Sequence, residues 1–190
     1  MSGVPGPAPL VSEAQREVLL SIARAAVEAQ VTSAPQPPVP PLADVPLPDA
    51  SGVFVTVRSE GELRGCLGTL ECRRGLAEEV ARCAAEAASV DPRFEPVSVE
   101  ELPTVSLEVS VLGPLEPLPM PQPDAVTVGR HGLVVEQGRH RGLLLPQVAP
   151  EWGWTAEQFL RQTCIKAGLP PDAWRTGASV YRFEADVFGE

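Results

Sequence analysis

The sequence predicts an α+β fold of mainly antiparallel sheets with flanking helices. Three observations carry that reading. Thr104 to Leu112 alternates strictly, with Val105, Leu107, Val109 and Val111 on one face and Ser106, Glu108 and Ser110 on the other, which is the period of a half-buried strand. Ser12 with Gln15, and Thr155 with Gln158, write capping boxes ahead of residues at helical apolar spacing. Most strand candidates are joined by connections too short for parallel crossovers, and neither a regular βαβα beat nor an internal repeat emerges.

A length of 190 residues fits one domain, or two subdomains sharing a core. With 44% hydrophobic and 21% charged residues, a packed core is expected and a wholly disordered chain is excluded. Fifteen basic against 25 acidic residues leave a formal net charge of −10, the wrong sign for holding phosphates, so no nucleic-acid partner is expected. The start MSGVPGPAPLV lacks the basic residues and apolar run of an export signal. Apolar stretches near Leu19 to Val27 and Leu143 to Ala149 fall short of the ~18 residues that cross a bilayer, so the expectation is a soluble, cytoplasmic protein without a membrane partner. Four cysteines without a C-x-x-C pair point to reduced thiols, with no structural disulfide, metal site or cofactor.

The elements follow in order. Residues 1–11 read as a disordered tail, and 12–190 as the domain. Val18, Leu19, Ile22, Ala26 and Ala29 place a helix over 12–30. Seven prolines within 31–50 fix backbone dihedrals and remove amide donors, which predicts an extended surface linker. Gly52 to Arg58 has strand composition, Ser59 to Glu62 is turn-like, and Leu63 to Leu70 returns antiparallel as a hairpin. From Gly75 to Ser89, Leu76, Val80, Cys83, Ala84 and Ala87 share a helical face, with Glu78, Glu79, Arg82 and Glu86 turned to water; Asp91 and Pro92 stop the helix. After a second proline run, Ala125 to Val128, Gly132 to Glu136 and Gly142 to Leu145 read as a meander of short strands. A capped helix runs from Thr155 to near Gly168, and Tyr181, Phe183, Ala185 and Val187 alternate along one final strand.

The densest unusual string is Leu63-Arg64-Gly65-Cys66-Leu67-Gly68-Thr69. Glycine weakens a strand and marks a bulge or a close approach, so Cys66 is presented on a narrow ridge with Arg64 on its face to stabilise a thiolate. The alternative is a small buried Cys66 whose glycines permit tight packing. A nucleophilic thiol needs a base, and His131, between glycine-flanked residues at the mouth of a strand, is preferred to His140 on an exposed arginine-rich turn. Glu108 is the other candidate, facing either solvent or a cleft. Leu143 to Val148 joins an apolar run to Pro146 and Gln147, a cleft wall with one hydrogen-bonding group or simply core and turn. Asp91-Pro92-Arg93-Phe94 reads as a turn in which Asp91 accepts backbone amides and Arg93 meets a carboxylate.

These strings, with Glu108-Val109-Ser110-Val111-Leu112, His131-Gly132-Leu133 and Leu144-Leu145-Pro146-Gln147-Val148-Ala149 in the same order, resemble the AMMECR family, whose prokaryotic members are called AmmeMemoRadiSam system protein A. The likeness covers roughly 12 to 188, with Leu67 standing where the family has isoleucine, and continues through Trp154, Phe159, Leu160, Cys164, Lys166, Ala167, Gly168 and Leu169. The resemblance implies two unequal subdomains with a cleft between them, the larger holding both chain ends. It implies no established reaction. The bacterial name implies association with a Memo-like protein and a radical SAM protein. Two functions follow as expectations. The first is a thiol-dependent enzyme or modification factor for a small molecule or peptide, with Cys66 as nucleophile, Arg64 lowering its pKa, and Glu108 or His131 carrying the proton. In that reading Arg64, Gly65, Gly68, Thr69, Pro146 and Gln147 line the ligand site. The second is a noncatalytic adaptor that binds a ligand or partner.

Overall fold

In the computed structural model, which describes residues 9–42 and 44–190, the chain divides into two compact units. One comprises the chain up to Leu112 together with Asp186–Glu190, and the other is Gly113–Ala185. Each has its own four-stranded antiparallel sheet and its own apolar core, so the α+β class holds.

In the first unit, helix α1 (Glu13–Val31) starts at the Ser12–Gln15 capping box. Strands β1 (Gly52–Ser59) and β2 (Glu62–Thr69) form the expected hairpin, helix α2 (Leu76–Ser89) follows, and β3 (Val105–Leu112) returns beside β1. With β8 (Ala185–Gly189) the strand order is β2-β1-β3-β8, which leaves β2 at an edge. Val53, Val55 and Val57 of β1 and Val105, Leu107, Val109 and Val111 of β3 turn to the helices, as the alternation requires. One helical assignment is corrected. Glu79 is buried, because Arg82 follows at i+3 and its Nε donates to Glu79 Oε2 at 2.8 Å, removing the need for water.

The proline segment has no regular structure, yet Val39, Leu42, Leu47 and Ala50 pack against the core and Gln36 Nε2 donates to the Ala26 carbonyl at 3.2 Å. The tail expected over 1–11 falls mostly outside the described residues. Its last residue is not loose: Val11 is buried in the core and its amide donates to Asp186 Oδ2 at 3.1 Å.

The second unit arranges β4 (Glu116–Pro117), β5 (Gly132–Gln137), β6 (His140–Leu144) and β7 (Ser179–Phe183) in the order β4-β7-β5-β6. Short α3 (Val148–Glu151) and α5 (Ala173–Thr176) flank α4 (Ala156–Lys166), which opens at the Thr155–Gln158 capping box. Two expectations fail here. Residues 126–128 are not a strand, because the preceding Pro123–Ala125 forms a 3-10 turn and Thr127 to His131 closes a second turn. The single final strand is two, β7 and β8, which break at Glu184 and join different sheets. Among the described residues, no helix is long and apolar enough to cross a membrane.

Candidate functional site

On β2, Gly65, Leu67 and Thr69 stand opposite Val57, Val55 and Val53 and share their core-facing side, so Cys66 and Gly68 project from the other, while Arg64 falls at the register irregularity opposite Val57 and Arg58. The two glycines serve different contacts. A methyl at Gly65 would overlap the Ala87 carbonyl, so its absence lets α2 lie directly on the strand, whereas a methyl at Gly68 would meet the Val53 carbonyl and the Phe54 ring. Thr69 closes the exit from the strand, its hydroxyl accepting from the Glu71 amide at 3.1 Å.

Cys66 pairs with Thr56 across β1, and Thr56 pairs in turn with Glu108 on β3. The register therefore sets Cys66, Thr56 and Glu108 in one row across three strands, with Cys66 and Glu108 about 10 Å apart at the backbone. The Thr56 hydroxyl donates to Cys66 Sγ at 3.3 Å. The Cys66 amide and carbonyl both point out of the sheet edge, which makes Cys66–Thr56 a non-hydrogen-bonded pair with side chains close together. At that edge, Asp91 Oδ2 accepts from the Cys66 amide at 2.9 Å, and Arg93 Nη2 donates to the Cys66 carbonyl at 3.4 Å. Asp91, 3% exposed, also accepts from the Arg93 amide, Nε and Nη2 at 3.1, 2.9 and 2.7 Å. Those Arg93 bonds, with the Cys66 amide, hold its carboxyl well below the usual carboxylate range. The Asp91–Phe94 turn thus caps the strand edge that presents the thiol.

Arg64 is not free to act on the thiol alone. Arg64 is committed to Glu101, with Nε to Oε1 at 2.6 Å and Nη2 to Oε2 at 3.2 Å. That pairing, helped by the Ser98 amide, lowers the Glu101 carboxyl to about 2. Glu108, half-buried, makes no ion pair among the described residues. Burial pushes up the thiols of Cys72, Cys83 and Cys164, that of Cys83 to about 12.

His131, Pro146 and Gln147 belong to the second unit. His131 is buried, and its Nδ1 accepts from the Thr127 amide at 2.9 Å while its own amide donates to the Thr127 carbonyl at 2.9 Å. Burial and the nearby Arg182 and Arg130 lower its pKa. A neutral ring that accepts at Nδ1 carries its proton on Nε2. Pro146 is buried, and Gln147 stands at the start of α3 with its Oε1 buried and without a hydrogen-bond partner.

Sequence reasoning passed over Thr56 and Glu101. Both left a signal: Thr56 shares parity with Phe54 and Arg58 among alternating valines, and Ser98 with Glu101 writes a capping box.

The structure so defines an α+β protein of two antiparallel-sheet units whose edge strand carries a thiol beside a buried carboxylate turn. The family model AMMECR1 matches residues 20–188. A protein of Methanothermobacter thermautotrophicus is 47% identical over 192 residues, covering 96% of this chain and 97% of its own. A Thermofilum pendens protein is 46% identical, covering 95% of this chain and 92% of its own. The crystal structure of the uncharacterized protein PH0010 from Pyrococcus horikoshii is similar at a TM-score of 0.87 and 41% identity, covering 95% of this chain and 94% of that one. The chain belongs to the AMMECR1 family.

Proposed function

We propose that this chain is a cysteine-dependent enzyme or modification factor, acting on a small molecule or peptide together with Memo-like and radical SAM partners. Cys66 is the nucleophile and Glu108 the group that takes its proton. The observation that carries the proposal is the row Cys66–Thr56–Glu108: a thiol that accepts a hydroxyl hydrogen bond, on the same sheet face and at the same register level as a carboxylate that has no counter-ion among the described residues. Burial pushes up the other three thiols, which disfavours each of them as a nucleophile.

The roles of the other residues follow from their partners. Arg64 and Arg93 each hold a carboxylate, so neither brings an uncompensated positive charge to the sulfur. Arg64 positions the strand edge and does not activate the thiol. His131, with its proton on Nε2, is a donor and not the base. Gln147 offers a ligand an acceptor in the second unit, beside Pro146. Gly65 serves helix packing, the space at Gly68 is filled by the Val53 carbonyl and the Phe54 ring, and the Thr69 hydroxyl is turned to Glu71. The test is turnover of metabolite and peptide mixtures by the wild type against Cys66→Ser, with the Memo-like and radical SAM partners supplied. Loss of a product in the variant is the expected result, and identical product profiles overturn the reading.

A second reading, a noncatalytic adaptor, has one observation in its favour. The spaces at Gly65 and Gly68 and the charges of Arg64 and Arg93 are all met within the chain, so packing alone accounts for those residues of the motif.

A further inference from the structure

Thr56 occupies the middle of β1, 9% exposed, on the face opposite Val53, Val55 and Val57, which carry the strand's core contacts. A buried hydroxyl is costly unless it is bonded, and here its partner is the Cys66 sulfur. A hydroxyl donates weakly to a neutral thiol and more strongly to a thiolate, because hydrogen bonds to an ionised acceptor are roughly twice as strong. The bond therefore discriminates between the two protonation states.

The charges around the sulfur leave that bond room to matter. On its own strand, Arg64 is offset by Glu101; at the edge, Arg93 is offset by Asp91. On β1, Arg58 is exposed and turned to the Gly61 carbonyl. On β3, Glu108 makes no ion pair among the described residues and brings no positive charge to the face. A thiolate on this face thus depends on a neutral donor.

We propose that Thr56 is a positioning residue for Cys66: its hydroxyl fixes the sulfur over the sheet face and favours the thiolate. The inference rests on the cysteine reading above and deepens it. Threonine and valine are isosteric and both favour strands, so Thr56→Val removes the hydroxyl with little change of shape.

The experiment measures iodoacetamide labelling of Cys66 in the full chain by peptide mass mapping from pH 6 to 10, for wild type, Thr56→Val and Thr56→Ser. The expected result is a Thr56→Val profile displaced to higher pH, with labelling at pH 7 slowed about three- to tenfold, the range that one hydrogen bond commands. Thr56→Ser restores the rate to within about twofold. Superimposable wild-type and Thr56→Val profiles overturn the role of Thr56, and so does equal slowing in both variants, since the loss then follows packing and not the hydroxyl. If Thr56→Val does not fold, Thr56→Ala against Thr56→Ser makes the same comparison. The turnover test with Cys66→Ser is separate: its failure removes the nucleophile, whereas superimposed labelling profiles remove only the donor.

Discussion

In the first unit, both arginines of the Arg64–Thr69 and Asp91–Phe94 stretches are matched: Arg64 by Glu101, and Arg93 by Asp91, which also takes the Cys66 amide. In the second, His131 spends Nδ1 on its own turn, and the Gln147 amide oxygen is buried with nothing to accept from. The difference separates two kinds of motif residue. Matched groups hold the edge of β2 in one geometry, and removing one leaves its partner stranded. Glu108 and the Gln147 amide oxygen have no such partner among the described residues, so replacing them disturbs little of the fold while leaving fewer groups for a ligand to meet.

The largest break in that comparison comes from Gly65→Ala. The added methyl meets the Ala87 backbone carbonyl, which cannot swing away as a side chain does, so α2 must lift from β2. A loss of about 3 kcal/mol or more in urea unfolding is expected, at the upper end of overpacking costs. Asp91→Asn comes next. It weakens the bonds to the Cys66 amide and to the Arg93 guanidinium, for an expected loss of about 2 kcal/mol at pH 7. Its pH dependence has a definite sign. The Asp91 and Glu101 carboxyls both titrate below their ordinary values when folded, so their stabilisation is complete above the unfolded value near pH 4. It fades as pH falls through the folded values, about 2 for Glu101. Asp91→Asn should therefore flatten the acid limb of the stability curve between roughly pH 4 and 2, and an unchanged limb would mean that Asp91 is not held ionised by its partners. Gln147→Met inverts the direction. Replacing a buried amide oxygen that has no partner among the described residues with an apolar group of similar volume should leave the urea midpoint unchanged or raise it, by up to about 1 kcal/mol. A loss above that size would reveal a partner for the amide.

Much of the fold was legible because periodicity is local. The β1–β2 hairpin, β3, α2 and both capping boxes follow from spacing within ten to twenty residues. What was not legible depended on which distant element a segment meets. Tyr181, Phe183, Ala185 and Val187 alternate without interruption, yet alternation does not say which sheet a strand joins, and the chain changes sheets at Glu184. The site divided the same way. The glycines flagged Cys66, and strand parity put Glu108 on its face, but the partner of Arg64 lies 37 residues away in sequence, at Glu101. Nothing local to the Arg64 strand distinguishes that carboxylate from Glu108. The thiol's own hydrogen-bond donor comes from the neighbouring strand, ten residues back, where register and not composition selects Thr56.

The smallest effect on stability, and the sharpest on the comparison, is expected from Glu108→Gln. Its carboxylate has no ion pair to lose among the described residues, and glutamine keeps the size and polarity of a half-buried strand side chain, so the unfolding midpoint should shift by no more than about 0.5 kcal/mol. Arg64→Gln, by contrast, strands the Glu101 carboxyl and should cost about 1 kcal/mol or more. Labelling of Cys66 should reverse that order. Glu108 shares a face with the sulfur and is the group assigned to take its proton, so its loss should slow labelling at pH 7 by a few-fold. Arg64→Gln removes a cation but frees the Glu101 carboxylate from it, and the change felt at the sulfur reflects only the difference in their distances. A Glu108→Gln profile that superimposes on wild type would place Glu108 outside the electrostatic reach of Cys66, and the proton-accepting role assigned to it would have to pass to another group.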